Sequence, residues 1–152
     1  MCNFLKSRGC RNNNPFNIVK SRHNWIGKVK GTDVKFETFV HIGYGLRAGI
    51  KLLLTYIQRG HNTPRKIINR FAPPSENATS SYLDFITYNY RGERYISPDD
   101  VIVSLDDFAM LCSRIVKYEN GLSYGALSAI SADPDGIKGI IDKYNLKPIL
   151  IY

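Results

Sequence analysis

Long apolar runs are missing from this chain: no stretch approaches the roughly 18 residues that a membrane-spanning helix needs, so no membrane span is expected. Cysteine is scarce. Cys2, Cys10 and Cys112 form no CxxC pair and have no histidine at ligand spacing, which argues against a disulfide framework and a zinc site and leaves free thiols, with Cys112 in the core. His23, His41 and His61 fall in or near predicted loops without a triad partner, and no GxSxG string occurs, so acyl-transfer chemistry has no support. The bases are scattered, with neither a dense run nor a helix-turn-helix or RNP signature, and no specific nucleic-acid partner is expected. No metal or nucleotide cofactor is implied. Repeats, low-complexity tracts and interdomain linkers are also absent. The opening MCNFLKSRGC lacks the apolar core of a secretory signal, so Sec export is not expected either.

What is present is an ordinary globular balance: 152 residues, 43% hydrophobic and 22% charged. A chain of that length buries about two-thirds of its unfolded surface, enough for a single domain over 1–152. Acids are outnumbered, 13 Asp+Glu against 21 Lys+Arg, for a net charge of +8. That favours an anionic partner: nucleic acid, an acidic wall polymer or a phospholipid surface.

From Phe16 to Phe39 the residues are β-rich and broken by the turn-forming SRHN and KGTD, which predicts a meander of two or three strands. The alternation of Val34, Phe36 and Thr38 with Lys35, Glu37 and Phe39 suits a half-exposed strand. The period then becomes helical. Leu46, Ile50, Leu53, Leu54 and Ile57 form one stripe of a buried helix that Gly60 can end. Thr63-Pro64 caps and opens a short helix that Pro73-Pro74 stops, and a further helix beginning near Ser75 to Asn77 carries Tyr82, Phe85 and Ile86. RGERYISPDD reads as a loop. Ser104, with Asp107 three residues on, launches a helix with Phe108, Cys112 and Ile115 on its apolar face; shorter helices follow over Tyr124 to Ile130 and Pro134 to Tyr144. The fold class is α+β, a mainly helical body with a small antiparallel β lobe near the N-terminus.

Extending the Ser104 helix by its own period puts Glu119 on the apolar face at the helix end, just before Asn120 and Gly121, which read as a C-cap. Apolar neighbours and the negative end of the helix dipole both disfavour the ionised form, the condition a general acid requires. The alternative is a cap on a neighbouring loop or a pair with an arginine such as Arg47. Glu76 falls in a predicted first helical turn, where the dipole favours negative charge; it suits a cap or a substrate-holding base. Glu37 is a candidate second carboxylate across a cleft, or a solvated strand residue. Asp33, in a turn, is weaker.

RGCRNNNPFNI (8–18), Trp25 with Gly27, KFETF, GYGLRAG, NTPRKIINRFAPPSEN and the terminal YENG together resemble a set of phage and prophage virion-associated proteins, labelled structural proteins or transglycosylase-like lysins. The likeness runs over roughly residues 8 to 121 and departs at Phe16, where glycine is common, and at Phe71, where tryptophan is common. NNNPFNI followed by the β-rich segment is similar, more distantly, to the β lobe of flagellar-type glucosaminidases of the lysozyme-like superfamily. In those enzymes the helix bearing the catalytic glutamate precedes the lobe. Here the helix ending in Glu119 follows it, so the resemblance implies a circularly permuted lysozyme-like domain.

The implied activity is cleavage of the peptidoglycan glycan strand, as a muramidase or lytic transglycosylase, with Glu119 as acid and Glu76 and Glu37 as rival or accessory carboxylates. Asn13 and Asn14 are the candidate sugar-binding amides, and Tyr82, Tyr118, Tyr124 and Trp25 the candidate stacking rings. Expected partners are bacterial peptidoglycan and other virion proteins. The expected location is the virion, or the host cytoplasm with release to the periplasm and cell wall. A noncatalytic virion or glycan-binding protein is the competing class.

Overall fold

The computed structural model describes residues 7–73 and 79–146. The predicted helix start at Ser75 to Asn77, with Glu76, lies outside the described residues, as do Cys2 and the chain from Lys147 onward.

Ser7 opens the described chain as the N-cap of α1 (Arg8–Arg11), its hydroxyl accepting from the Cys10 N–H at 3.2 Å. The asparagine run follows at once. Asn13 and Asn17 both take the left-handed conformation, φ 52° each, which asparagine tolerates better than most side chains. Between them Asn14 is fully buried, and its amide replaces a stretch of sheet. It accepts from Ile18 N–H (2.9 Å) and donates to the carbonyls of Ile18 (3.0 Å) and Glu37 (2.9 Å).

The β lobe is accordingly smaller than its β-rich sequence suggests. β1 (Lys28–Val29) and β2 (Thr38–Phe39) pair antiparallel, Lys28 opposite Phe39 and Val29 opposite Thr38. The expected first strand is reduced to one bridge, Val19 to Phe36. Alternation holds only from Phe36 to Phe39, where Glu37 and Phe39 are buried and Phe36 and Thr38 half-buried; Val34 and Lys35 are both exposed.

His41 caps α2 (Ile42–Gln58), its Nδ1 accepting from Gly43 N–H at 3.0 Å. The glycines of GYGLRAG now have a reason. A Cβ on Gly45 would meet the Asn13 carbonyl, and one on Gly49 would meet the Phe16 ring, so the asparagine segment lies directly on the α2 backbone. Thr63 caps α3 (Pro64–Phe71) with Pro64 in the first turn, as its sequence predicts. α4 (Thr79–Ile86) follows.

Ser104 caps α5 (Leu105–Asn120) through Asp107 N–H at 3.0 Å, and Gly121 closes it in the left-handed conformation, φ 65°. From Phe108 to Val116 this helix is buried on nearly every side, packed on α4, on α1 and on the later α7 (Pro134–Lys143), with α6 (Tyr124–Ala129) between. Burying a side chain such as Phe108 or Ile115, each without exposed surface, contributes about 1.5–3 kcal/mol. α5 is therefore the axis of the body. Asn120, its last residue, donates to the carbonyls of Pro15 (2.7 Å) and Val116 (2.9 Å) and accepts from the Ser7 hydroxyl (2.8 Å), tying the helix end to the asparagine segment.

Candidate functional site

Because Asn120 fixes the end of α5 against residues 7–17, the residue before it is carried to the boundary between body and β lobe. Glu119 sits there, half-buried, in the wall of a groove of about 580 Å³. Ile18 to Phe36 supply one side, with Ser21, His23, Trp25 and Lys35; Leu52, Tyr56 and Arg59 of α2 and the segment from Arg70 to Pro73 supply the other. Trp25 is buried, and the His23 ring tilts against it at 4.1 Å between centroids.

Both oxygens of Glu119 have neutral donors. Asn17 Nδ2 donates to Oε1 at 2.9 Å, and the Tyr82 hydroxyl donates to Oε2 at 2.6 Å. Tyr82 is fully buried. Burial first, and the adjoining Glu119 charge second, push its phenol well above the usual value, so it remains a donor through ordinary pH. Tyr118 lies flat over the Tyr82 ring, 3.8 Å between centroids with 21° between planes, and holds it from outside.

This arrangement serves either protonation state of the carboxyl. A hydroxyl both donates and accepts, so Tyr82 can turn to accept a proton carried on Oε2, while the amide bond to Oε1 suits a carboxylate or an acid carbonyl alike. Proton transfer at Oε2 therefore breaks no fixed ion pair.

The other predicted site residues are placed differently. Glu37 is buried and lines a second hollow of about 410 Å³ among Lys20, Lys28 and Lys30, where its Oε2 meets Lys28 Nζ at 2.9 Å and accepts from Ser21 N–H at 3.2 Å. It is absent from the lining of the Glu119 groove, although Ser21 lines both. The expectation of a second carboxylate facing Glu119 from this position is thus corrected.

Asn13 and Asn14 are corrected too. Asn13 donates to the Phe39 carbonyl at 3.0 Å, Asn14 is consumed by the sheet-like bonds above, and neither lines the groove. The amide that reaches it is Asn17, which the sequence reading passed over; its signal was a fourth asparagine at the turn into the β-rich segment. Tyr82 reaches the site through its hydroxyl and offers no open face for stacking. Tyr118 is partly exposed beside it, whereas Tyr124 packs edge-on against Tyr90 at 4.8 Å, away from the groove lining. Tyr56, Arg59 and Arg70 were missed because only the docking of α2 and α3 against the lobe brings them there. Asp33, read as a weak candidate, anchors the lobe instead. The Arg8 guanidinium, at 2.6 Å, and the Phe36 N–H hold its carboxyl far below the usual carboxylate range. Among the described residues, no group of three His, Cys, Asp or Glu is gathered to hold a metal ion.

Fold and site together define an α+β domain, a helical body with a small antiparallel sheet, whose groove presents a carboxylate from the C-terminal turn of a central helix. No known family model matches the chain. Over 120 residues it is 33% identical to Protein P5 of Pseudoalteromonas phage PM2, an alignment covering 76% of this chain and 72% of that protein. The chain belongs to the family of that phage protein. No helix among the described residues is long and apolar enough to cross a membrane.

Proposed function

We propose that this groove cleaves the glycan strand of peptidoglycan, with Glu119 as the general acid, and that the domain is a circularly permuted lysozyme-like fold carried by a virion or by a phage lysin. One observation carries the reading. Glu119 stands in the wall of a groove, its carboxylate oriented by an amide and a phenol rather than neutralised by a cation. Support comes from the family, which includes a phage protein, and from the meeting of Asn17 and Glu119 across 102 residues. That contact joins the lobe and helix whose order differs from the glucosaminidases the sequence resembles.

In this mechanism the Glu119 proton passes from Oε2 to the glycosidic oxygen as the bond to the sugar breaks, and the Tyr82 hydroxyl swings back to donate to the new carboxylate. The 6-hydroxyl of the muramic acid then attacks the anomeric carbon and returns its proton to Glu119, a route needing one acid/base. Hydrolysis by two carboxylates would require a partner such as Glu76, which lies outside the described residues.

The test is digestion of purified peptidoglycan by wild type and Glu119→Gln, followed by analysis of the released muropeptides. Glutamine keeps an acceptor for Asn17 and a polar partner for Tyr82 but has no proton to give, so anhydro-ended products from the wild type alone are the expected result. Activity that survives the substitution removes Glu119 as the acid. Inactivity of both proteins supports the second reading, a noncatalytic virion protein, which the saturation of both Glu119 oxygens by neighbouring side chains also suits.

A further inference from the structure

The groove is unbalanced in charge. Lys35 lines it from the β-lobe side, and Arg59 and Arg70 line it from the ends of α2 and α3. Among the described residues the only carboxylate in the lining is Glu119, and its oxygens are occupied by Asn17 and Tyr82. The six ion pairs among the described residues all involve other cations, so these three charges have no acidic partner there. Two of them contact rings. The Arg70 guanidinium lies 5.9 Å from the Tyr56 ring centre and the Lys35 ammonium 5.3 Å from that of Phe36, contacts that orient a cation and leave its hydrogen-bond donors free.

The chain does pair its basic groups elsewhere, even where both partners are exposed, as at Arg65 with Asp99 and Arg91 with Glu93. Cations without an acidic partner among the described residues, gathered on both walls of a concavity, suit an anion that arrives from outside. Arginine in particular presents a planar fork matched to carboxylate.

Resting on the glycan-cleaving reading, we propose that the groove selects the anionic form of its glycan, with Arg59 and Arg70 binding a free carboxylate carried by the muramyl substituent or its peptide stem, and Lys35 adding long-range attraction. The preferred substrate is wall polymer with uncapped carboxylates. Neutral chitin-type strands and material whose carboxylates are amidated are poor ligands.

The experiment measures retention of the Glu119→Gln protein on native sacculi and on sacculi whose carboxylates have been converted to methylamides, alongside cleavage of both by the wild type. Native sacculi are expected to bind about tenfold more tightly, the scale of one charge-assisted hydrogen-bond pair, with the advantage shrinking as salt rises. Arg59→Gln and Arg70→Gln should each remove most of that preference. Arg91→Gln, which lowers net charge equally but lies outside the groove lining, should keep it. Equal retention of the two sacculus forms, or a preference undisturbed by the groove variants, overturns the proposal even if the wild type cleaves both. A wild type that cleaves neither form defeats the cleavage reading, and the retention data still decide the anion preference. If Arg59→Gln and Arg70→Gln weaken retention on duplex DNA while leaving the sacculi unaffected, the groove serves nucleic acid and the proposal is likewise overturned.

Discussion

Two carboxylates of this domain stand on either side of Ser21, and their surroundings differ in kind. Glu37 is buried beside a lysine, in a hollow rimmed by further lysines. Glu119 is half-buried beside an amide and a phenol, in a groove whose cations leave it alone. Removing the charge of a carboxylate matched to a neighbouring ammonium strands that partner. One held by neutral groups can exchange a proton without stranding the charge of a partner. Burial alone, the cue available in a sequence, does not separate the two cases. The identity of the partner does.

The largest expected effect is on the groove side: Glu119→Gln should lower glycan cleavage by about 10²–10⁴-fold, the range for loss of a general acid, with an unchanged circular dichroism spectrum. Next comes the opposite carboxylate. Glu37→Gln leaves Lys28 beside an uncharged buried amide and should cost about 2 kcal/mol, reduced from the fully buried case because the lysine is partly solvated. Denaturant titration measures that loss, and cleavage should stay within about threefold of wild type because no acid chemistry is touched. Reversal of these two outcomes would exchange the roles of the carboxylates.

A smaller effect distinguishes orientation from structure. Asn17→Gly preserves the left-handed backbone while deleting the donor to Oε1, and should lower kcat about tenfold, the cost of one hydrogen bond to a charged group. The smallest effect is alkaline. The Tyr82 phenol titrates higher in the folded chain than in the unfolded one, so its contribution to stability is whole below about pH 10, the ordinary tyrosine value. The unfolded chain loses that proton first, and stability falls as pH climbs toward the folded value. Tyr82→Phe should flatten that part of the stability curve in pH-dependent thermal melts.

The helical body was legible in the sequence because its signals are local. Thr63-Pro64, Ser104 with Asp107, and Gly121 each act within one turn, and the period from Phe108 through Ile115 carried Glu119 to its observed place at the end of α5. The β lobe was less legible because side chains stand in for strands. Asn14 makes with its amide three bonds that backbone groups usually make, so β-rich residues yield only two short strands and a bridge. Which asparagine meets the carboxylate was hidden for a related reason. Asn13, Asn14 and Asn17 are chemically identical, and two left-handed residues in a tight segment decide which one turns toward α5. The basic wall depends on three elements docking together, and no window of sequence contains that.

The tie between Asn120 and Pro15 spans 105 residues, and that between Asn17 and Glu119 spans 102. Closing such distant partners is slow compared with winding a helix. On the ribosome, the Asn17 amide emerges long before the Glu119 carboxyl that it meets. The groove thus closes only once both ends of this long loop of chain have met, and a chain cut short before α5 ends would lack the Glu119 side of it.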